Sequence, residues 1–185
     1  MVIAGGKMHT YEDILALPEG ERAELIDGEL FMMASPGRRH EDAVIWLSNQ
    51  IFNYIKGKNG KCRVNVSSFA VFPKNDDKNY VEPDVTVVCD RDKLDDRGCN
   101  GAPDWVIEII SPSSVKMDYV RKKKLYQESG VKEYWIVDPE KEQVSVYRFQ
   151  EDGRAREYSF RNTVKVGIYE DLELDLGELK EYLEG

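Results

Sequence analysis

Residues 105–110, Trp-Val-Ile-Glu-Ile-Ile, form the stretch that decides the fold class. An almost unbroken apolar run of this length is typical of a central strand that is covered on both faces. Residues 84–88, Asp-Val-Thr-Val-Val, show the same pattern. Segments with helical periodicity lie on both sides of these strands along the chain. The sequence therefore predicts one α/β domain with a buried central sheet.

Glu108 interrupts the first of these strands, where a lone carboxylate is costly unless it is paired or bound to a metal. Asp84 opens the second strand directly after Pro83, so the two carboxylates converge if the strands are neighbours. Close carboxylates raise a pKa unless a cation lies between them, and hard oxygen ligands suit Mg²⁺ or Mn²⁺. The alternative is structural, with Asp84 capping a strand and Glu108 paired to a Lys or Arg.

The N-terminal third shows three local signals. Thr10, followed by acidic residues, predicts the cap of a short helix that ends at about Leu17. Asp27 and Gly28 lie between two apolar runs and favour the left-handed angles of a hairpin turn. Apolar residues at helical spacing predict an amphipathic helix over about residues 39–56.

The remaining segments are predicted from apolar runs and turn residues. A helix from Ser113 or Ser114 to about Ser129 stops at Gly130, and the polar residues 90–101 form a loop. The C-terminal tail is expected to end in a helix. The further strands are expected over residues 62–72, 133–137, 143–149 and 155–160, the last two as a hairpin.

A basic block follows the strand of Glu108. Residues 111–132 hold six Lys or Arg and two acidic residues, a local balance of +4, in a chain whose net charge is -9. An acidic protein is poorly suited to indiscriminate binding of nucleic acid, but a basic block beside Glu108 weakens that objection. Within it, we expect contacts to substrate from Lys116, Arg121 and Lys123.

Helical neighbours three and four residues apart place Lys124 toward solvent. Either Lys122 or Lys123 can extend over apolar surface toward the sheet, and spacing does not separate the two. His40 extends the apolar stripe of its own helix by one turn and points inward. Such a histidine is ordinarily a core or cap residue, and a functional role is the alternative.

The composition bounds the class of protein. The chain has 185 residues, of which 33% are charged, and this length suffices for one domain with a core that needs no metal or disulfide. Cys62, Cys89 and Cys99 match no disulfide framework or zinc spacing, which favours a reducing cytoplasm. We expect no signal peptide and no membrane span.

Taken in order, several motifs of the chain resemble the Uma-two family, a restriction endonuclease-like branch of the PD-(D/E)XK nuclease superfamily. The resemblance covers roughly residues 10–160. It implies a single domain over residues 1–185 with a central mixed β-sheet flanked by helices, an N-terminal hairpin and a C-terminal β-hairpin. The motifs are Glu-Leu-Ile-Asp-Gly-Glu-Leu (24–30), Ser-Pro (35–36) with His40, Glu-Pro-Asp-Val (82–85), Ile-Glu-Ile-Ile-Ser-Pro-Ser-Ser (107–114), Asp118 with Lys122 and Tyr126, and Glu-Tyr-Trp-Ile-Val-Asp-Pro (133–139).

The resemblance also implies a catalytic and metal-binding set. Asp84 supplies the carboxylate of the first half-motif and Glu108 that of the second. The usual lysine two residues later is Ile110 here, and the family places its lysine on the following helix, at Lys122. That choice over Lys123 comes from the resemblance alone. Glu24, His40 and Tyr126 fall on positions that support the site.

Two functions of different classes follow. The first is a Mg²⁺- or Mn²⁺-dependent endonuclease that hydrolyses phosphodiester bonds, in DNA above other substrates, and acts as a homodimer. The second is a catalytically inactive relative that keeps the fold as a DNA-binding or assembly protein, which the loss of the in-strand lysine favours. A nucleotide-binding enzyme has little support, because the chain has neither a P-loop nor a dinucleotide-binding glycine motif.

Overall fold

The computed structural model describes residues 8–111 and 114–185. Its helices are α1 (Tyr11–Leu15), α2 (Arg38–Gly57), α3 (Lys123–Ser129) and α4 (Leu176–Glu184), and a π-helical turn over Met117–Lys122 leads into α3. Its strands are β1 (Ala23–Ile26), β2 (Glu29–Met32), β3 (Arg63–Val66), β4 (Val71–Phe72), β5 (Val85–Val88), β6 (Leu94–Asp95), β7 (Gly98–Asn100), β8 (Trp105–Ile109), β9 (Glu133–Asp138), β10 (Gln143–Arg148), β11 (Ala155–Ser159), β12 (Thr163–Lys165) and β13 (Glu173–Asp175).

The central sheet has six strands in the order β11-β10-β9-β8-β5-β3. Strands β8 and β9 are parallel, and the other neighbours are antiparallel. This is the mixed sheet flanked by helices that the sequence and its resemblance predicted. In the β5/β8 pair Val85 lies opposite Ile107, so one further residue along the same register sets Asp84 opposite Glu108.

Side chains alternate across β8, so its two faces meet different helices. Trp105, Ile107 and Ile109 pack with buried residues of α2 and α4. Val106 and Ile110 pack instead with Leu125 and the other buried residues of α3. Glu108 has the same parity as Val106 and therefore faces α3.

The N-terminal hairpin docks beside the start of β5. Asp27 and Gly28 form its turn with φ angles of 48° and 77°, as the dipeptide predicted. Leu25 N donates a hydrogen bond to Tyr80 O at 2.7 Å and ties the hairpin to the segment that leads into β5. The predicted cap at Thr10 is confirmed, since its backbone N–H is bound by Asp13 Oδ2 at 3.0 Å. This docking brings β1 close to Asp84.

Two local predictions are wrong. The strand expected over residues 62–72 is two strands in different sheets, because the chain turns after Val66, where Phe69 N donates to Val66 O at 3.0 Å. The loop expected over residues 90–101 contains β6 and β7, and β7 pairs with both β6 and β4 in a three-stranded sheet. Gly98 allows this packing, since a Cβ there would lie 2.1 Å from the backbone oxygen of Ala70.

The cysteines also correct the sequence-based expectation. Cys62 and Cys89 form a disulfide, although their 27-residue separation matches no local motif. The antiparallel pairing of β3 with β5 explains the bond. Arg63 lies opposite Val88, so Cys62, which precedes Arg63, lies opposite Cys89, which follows Val88. Cysteine usage therefore no longer argues for a reducing compartment. Cys99 is a free, buried thiol.

The C-terminal region covers the face of the sheet that packs on α2. The predicted hairpin of β10 and β11 and the predicted terminal helix are both present. Leu176, Leu179 and Leu183 of α4 are buried against the core shared with α2. The short β12/β13 hairpin between these elements was not predicted. Within the described ranges, no helix is long and apolar enough to cross a membrane.

Candidate active site

Asp84 lies at the start of β5, between the end of β8 and the first turn of α2. Its Oδ2 accepts a hydrogen bond from Ile109 N at 2.7 Å and lies 3.1 Å from His40 Nε2. The apolar stripe of α2 orients His40 inward, as its position in the sequence indicated. Burial alone would lower the pKa of His40, but the hydrogen bond and charge of Asp84 outweigh it and raise that pKa.

Glu108 projects from β8 toward α3, and its side chain is only 4% exposed. Its Oε1 accepts hydrogen bonds from Lys122 Nζ at 3.0 Å and from Tyr126 OH at 2.7 Å. Lys122 and Tyr126 are four residues apart, so they project from the same side of the helical segment. The structure thus brings Glu108, Lys122 and Tyr126 together.

Lys122 is the lysine that turns inward. Its Nζ lies 2.8 Å from Glu24 Oε1 and 3.8 Å from Asp118 Oδ1, and its side chain is 6% exposed. Lys123 instead places its Nζ 4.7 Å from the ring centre of Tyr147. Helical spacing did not separate the two lysines, and the segment that ends at Lys122 is a π-helical turn, a rare form that occurs often at functional sites.

Glu24 links the N-terminal hairpin to this cluster. Its Oε1 contacts Lys122 and also accepts a hydrogen bond from Glu82 N at 3.1 Å. The carboxylate of Glu82 is bound by Tyr80 OH and by Arg22, whose Nε lies 3.0 Å away. Since Glu82 is two residues before Asp84, this network positions the hairpin and the start of β5 together.

Buried carboxylates outnumber buried cations around Glu108. Burial raises the pKa of Glu108 well above its usual range, Lys122 opposes that effect, and Asp84 adds to it. Burial likewise raises the pKa of Asp118 to about 6. Burial alone would lower the pKa of Lys122, but the charges of Glu108, Glu24 and Asp118 raise it overall. Lys122 is therefore an ammonium ion at neutral pH.

The surplus of negative charge suits a divalent cation. Glu24, Glu108 and Asp118 are buried and Asp84 is partly exposed, while among the described residues of this cluster Lys122 supplies the ammonium group. Among the described residues no group of three or more His, Cys, Asp or Glu side chains forms a complete metal cage. Magnesium needs no such cage, because it keeps several waters and takes one or two carboxylates. Asp84 and Glu108, opposite each other when the β5/β8 register is extended by one residue, are the pair that the resemblance assigns to the metal.

The three predicted substrate contacts lie outside the cluster. Arg121 pairs with Glu29 at 2.8 Å and lies over the ring of Phe31. Lys123 faces Tyr147, and Lys116 is exposed at the start of the helical segment.

Ser114, one of the two predicted helix caps, accepts a hydrogen bond from Ser111 N through its hydroxyl. The backbone carbonyl of Ser114 accepts a hydrogen bond from Asp118 N. Ser113, the other predicted cap, lies outside the described residues.

Asp118 is the member of the cluster that sequence reasoning did not select. Its side chain is 3% exposed and lies beside Lys122. The signal was its spacing, since Asp118, Lys122 and Tyr126 recur every four residues. The sequence places it in the motif with Lys122 and Tyr126 and among the two acids of the basic block, but the resemblance assigned it no role at the site.

Comparisons with known proteins bear on the family and on the fold. A model of the Uma2 family, described as "Putative restriction endonuclease", matches residues 9–177. An uncharacterized protein of Synechocystis sp., slr1290, is 29% identical over 135 residues, which are 72% of this chain and 69% of that protein. The crystal structure of a protein from Anabaena variabilis, described as "a putative nuclease belonging to DUF820", has a TM-score of 0.76 at 23% identity. The superposition covers 94% of this chain and 98% of that one, which shows that the two share a fold.

Proposed function

The chain belongs to the Uma2 family, and from this premise we propose that it is a Mg²⁺-dependent endonuclease that hydrolyses phosphodiester bonds in DNA. The observation that supports this proposal best is the contact of Lys122 with Glu108 beside Asp84. Two carboxylates and a lysine on neighbouring elements are the groups needed to bind a divalent cation and a phosphate together.

Asp84 and Glu108 would hold the metal, which, when bound, polarises the phosphodiester and lowers the pKa of a coordinated water. The chain's own residues fix these two ligands. Ile109 N and His40 orient Asp84, while Tyr126 and Lys122 orient Glu108. Groups that hydrogen bond to metal ligands fix the orientation of the ligand oxygens.

Lys122 contributes charge. Its pKa is raised, so it keeps its proton at neutral pH and donates hydrogen bonds to a phosphate oxygen as negative charge builds there. Glu24 and Asp118 hold the ammonium group in place. A role as the base that deprotonates water is disfavoured in this arrangement, because the surrounding carboxylates stabilise the charged form.

Cleavage of supercoiled plasmid DNA in Mg²⁺ tests the proposal. The wild type should nick or linearise the plasmid, and EDTA should stop it. Asp84→Ala and Glu108→Ala should abolish cleavage, and Lys122→Ala should slow it about 10²- to 10³-fold, the effect of one charge-stabilising donor. Lys124→Ala is the matched control, because Lys124 is exposed and pairs only with Glu128 among the described contacts. Unchanged cleavage in all three site variants would refute the proposal.

A second function is favoured by one observation: Ile110, buried at 6% exposure, stands where related nucleases carry a lysine. A catalytically inactive protein that keeps the fold to bind DNA or to assemble would account for it. Such a protein would bind DNA without cleaving it, and the site variants would leave that binding unchanged. The homodimer implied by the resemblance is part of the first proposal, since two sites reach two strands, and light scattering measures it.

A further inference from the structure

An open groove of about 630 Å³ runs between α2 and β3, the edge strand of the central sheet. Phe52 and Ile45 form much of its wall, and each is 51% exposed. The lining carries no charged residue, although 33% of the residues in the chain are charged. Its polar groups are amides and a hydroxyl, from Ser48, Asn49, Asn53 and Asn65.

One end of the groove meets the candidate active site. Val66, in the lining, pairs with Val85, and the adjacent Ser67 N donates a hydrogen bond to Asp84 O at 3.2 Å. The same helix that forms the wall carries His40 in its first turn, where it contacts Asp84. A chain that lies in the groove therefore approaches Asp84 at that end.

The other end of the groove is cationic. Phe52 and Val64 also line a second pocket of about 260 Å³, whose rim carries Lys56, Arg63 and Arg91. Arg91 Nε donates a hydrogen bond to Lys61 O at 3.0 Å. Lys61 therefore lies beside the rim and is its fourth basic residue.

These four cations are exposed, and within residues 8–111 and 114–185 none forms an ion pair. Asp90 and Asp92 flank Arg91 in sequence, but the side chain of Asp90 binds the backbone N–H of Asp92. The balance at this rim is positive in a protein whose net charge is -9.

We propose that this groove binds a single-stranded segment of nucleic acid and delivers it to Asp84. The proposal rests on the function proposed above and names its substrate form. Phosphates would lie at the cationic rim, and unpaired bases would stack on Phe52 and bond to the asparagine amides. Proteins that bind single strands combine these two elements, a cationic path and an aromatic surface. The bases of a duplex are already stacked and paired, so they are not free to stack on an aromatic side chain in the groove.

The length of the groove agrees with this occupant. Ile45 and Lys56 are eleven residues apart on α2, which is about 16 Å. For a strand whose bases stay stacked at about 3.4 Å, the rise of one strand in a duplex, that distance spans between four and five nucleotides. Single-strand sites of other proteins begin at about four nucleotides.

Fluorescence anisotropy with a labelled 12-nucleotide single strand, and with a duplex of the same sequence, tests the proposal in EDTA, where no cleavage occurs. The single strand should bind more tightly than the duplex. Phe52→Ala should weaken single-strand binding about 5- to 150-fold, the range for one stacked base, and Phe52→Trp should restore it.

The cationic rim is tested by the double variant Arg63→Ala/Arg91→Ala. It should reduce the slope of log affinity against log salt concentration by about 1.4, since each single-strand phosphate contact contributes about 0.7. Arg154→Ala/Arg161→Ala is the matched control, because both arginines are exposed on the C-terminal hairpin region, away from the groove. Circular dichroism confirms that each variant is folded.

Wild-type affinity in both groove variants would overturn the proposal. If Phe52→Ala instead lowered the molar mass in light scattering, the groove would be an interface between copies of the chain. Failure of the groove and failure of the nuclease are distinguishable. Strand binding that depends on Phe52, without cleavage of either the single strand or the plasmid in Mg²⁺, refutes only the nuclease. Cleavage that depends on Asp84 and Glu108, with unaltered binding by the groove variants, refutes only the groove.

Discussion

The two faces of β8 differ in what they bury. On one face Trp105, Ile107 and Ile109 pack against apolar residues of α2, α4 and neighbouring strands. On the other face the buried Glu108 accepts a hydrogen bond from the buried ammonium group of Lys122. Both faces belong to the same five-residue strand, so the contrast does not come from the backbone.

The contrast bears on the metal site proposed above. Buried hydrocarbon stabilises a fold by about 25 cal/mol for each Å² removed from water. A buried ion pair rarely does as well, because replacing it with apolar residues is often neutral or stabilising. The charges around Glu108 are therefore poorly explained by folding alone, and the proposed cation site would account for them.

The largest expected effect is at Lys122. Lys122→Met keeps the length of the side chain but leaves Glu24 and Glu108 buried without their cation. We expect a loss of about 3–5 kcal/mol in the free energy of unfolding, measured with urea. The loss should shrink at low pH, where the carboxylates bind protons. Lys124→Met should change stability by less than about 0.5 kcal/mol. A loss at Lys122 no larger than this would contradict the account of the charged face.

The same face offers a second comparison. Adding Glu108→Gln to Lys122→Met removes one of the carboxylates that the first change leaves unpaired. The double variant should be more stable than Lys122→Met alone, as a double-mutant cycle measures. Additive losses would mean that the two side chains are not coupled.

Substitutions on the apolar face should lower the free energy of unfolding and leave plasmid cleavage unchanged. Ile107→Ala removes a fully buried side chain next to Glu108 and should cost about 2–5 kcal/mol, while Ile107→Val should cost about 0.5–1.5 kcal/mol. Neither change alters the charged groups, so plasmid cleavage at a temperature where the protein is folded should persist. Loss of cleavage with Ile107→Val would show that the faces are not separable.

Tyr126→Phe tests one hydrogen bond of the charged face. It removes the hydroxyl that donates to Glu108 and leaves the ring in place. Hydrogen bonds to charged groups contribute about 1.5–3 kcal/mol, and thermal unfolding should show a loss of that size. Tyr134→Phe is a comparison in the same cluster, since its hydroxyl donates to the backbone of Asp118 instead.

Asp118 gives the smallest effect, one that depends on pH. Its pKa is about 6 in the folded protein, above the ordinary value of 3.8, so folding takes up a proton between these values. Its contribution is complete below about pH 4 and is lost as pH rises through about 6. Asp118→Asn removes this titration. Its stability relative to the wild type should therefore increase over that window, by at most about 1.4 kcal/mol per pH unit. A difference that does not vary with pH would contradict the assignment.

The charged face was partly predictable. An apolar run interrupted by Glu108 and a second run opened by Asp84 indicated two buried strands with carboxylates at one end. The choice of Lys122 needed more than periodicity, because a π-helical turn changes which residues face the sheet. Asp118 shares a motif with Lys122 and Tyr126, but an acid among basic residues on a helix is ordinarily solvated, so the pattern did not indicate its burial.

Other features depend on contacts between distant segments. The Cys62–Cys89 bond follows from the register of β3 and β5. A separation of 27 residues in the sequence does not reveal that register. The break after Val66 arises because β4 pairs with β7, a partner about 30 residues later. The groove beside Phe52 likewise exists only because β3 is the last strand of its sheet.

Titration of the wild type with Mn²⁺ by isothermal calorimetry tests the central claim most directly, namely that Asp84 and Glu108 form a metal site on the charged face. We predict saturable binding that Asp84→Asn and Glu108→Gln each abolish. Glu133→Gln is the control: Glu133 is a buried carboxylate on β9 that binds Trp135 and the backbone of Gly167, and its loss should leave Mn²⁺ binding intact. Unaltered binding by folded Glu108→Gln would contradict the claim.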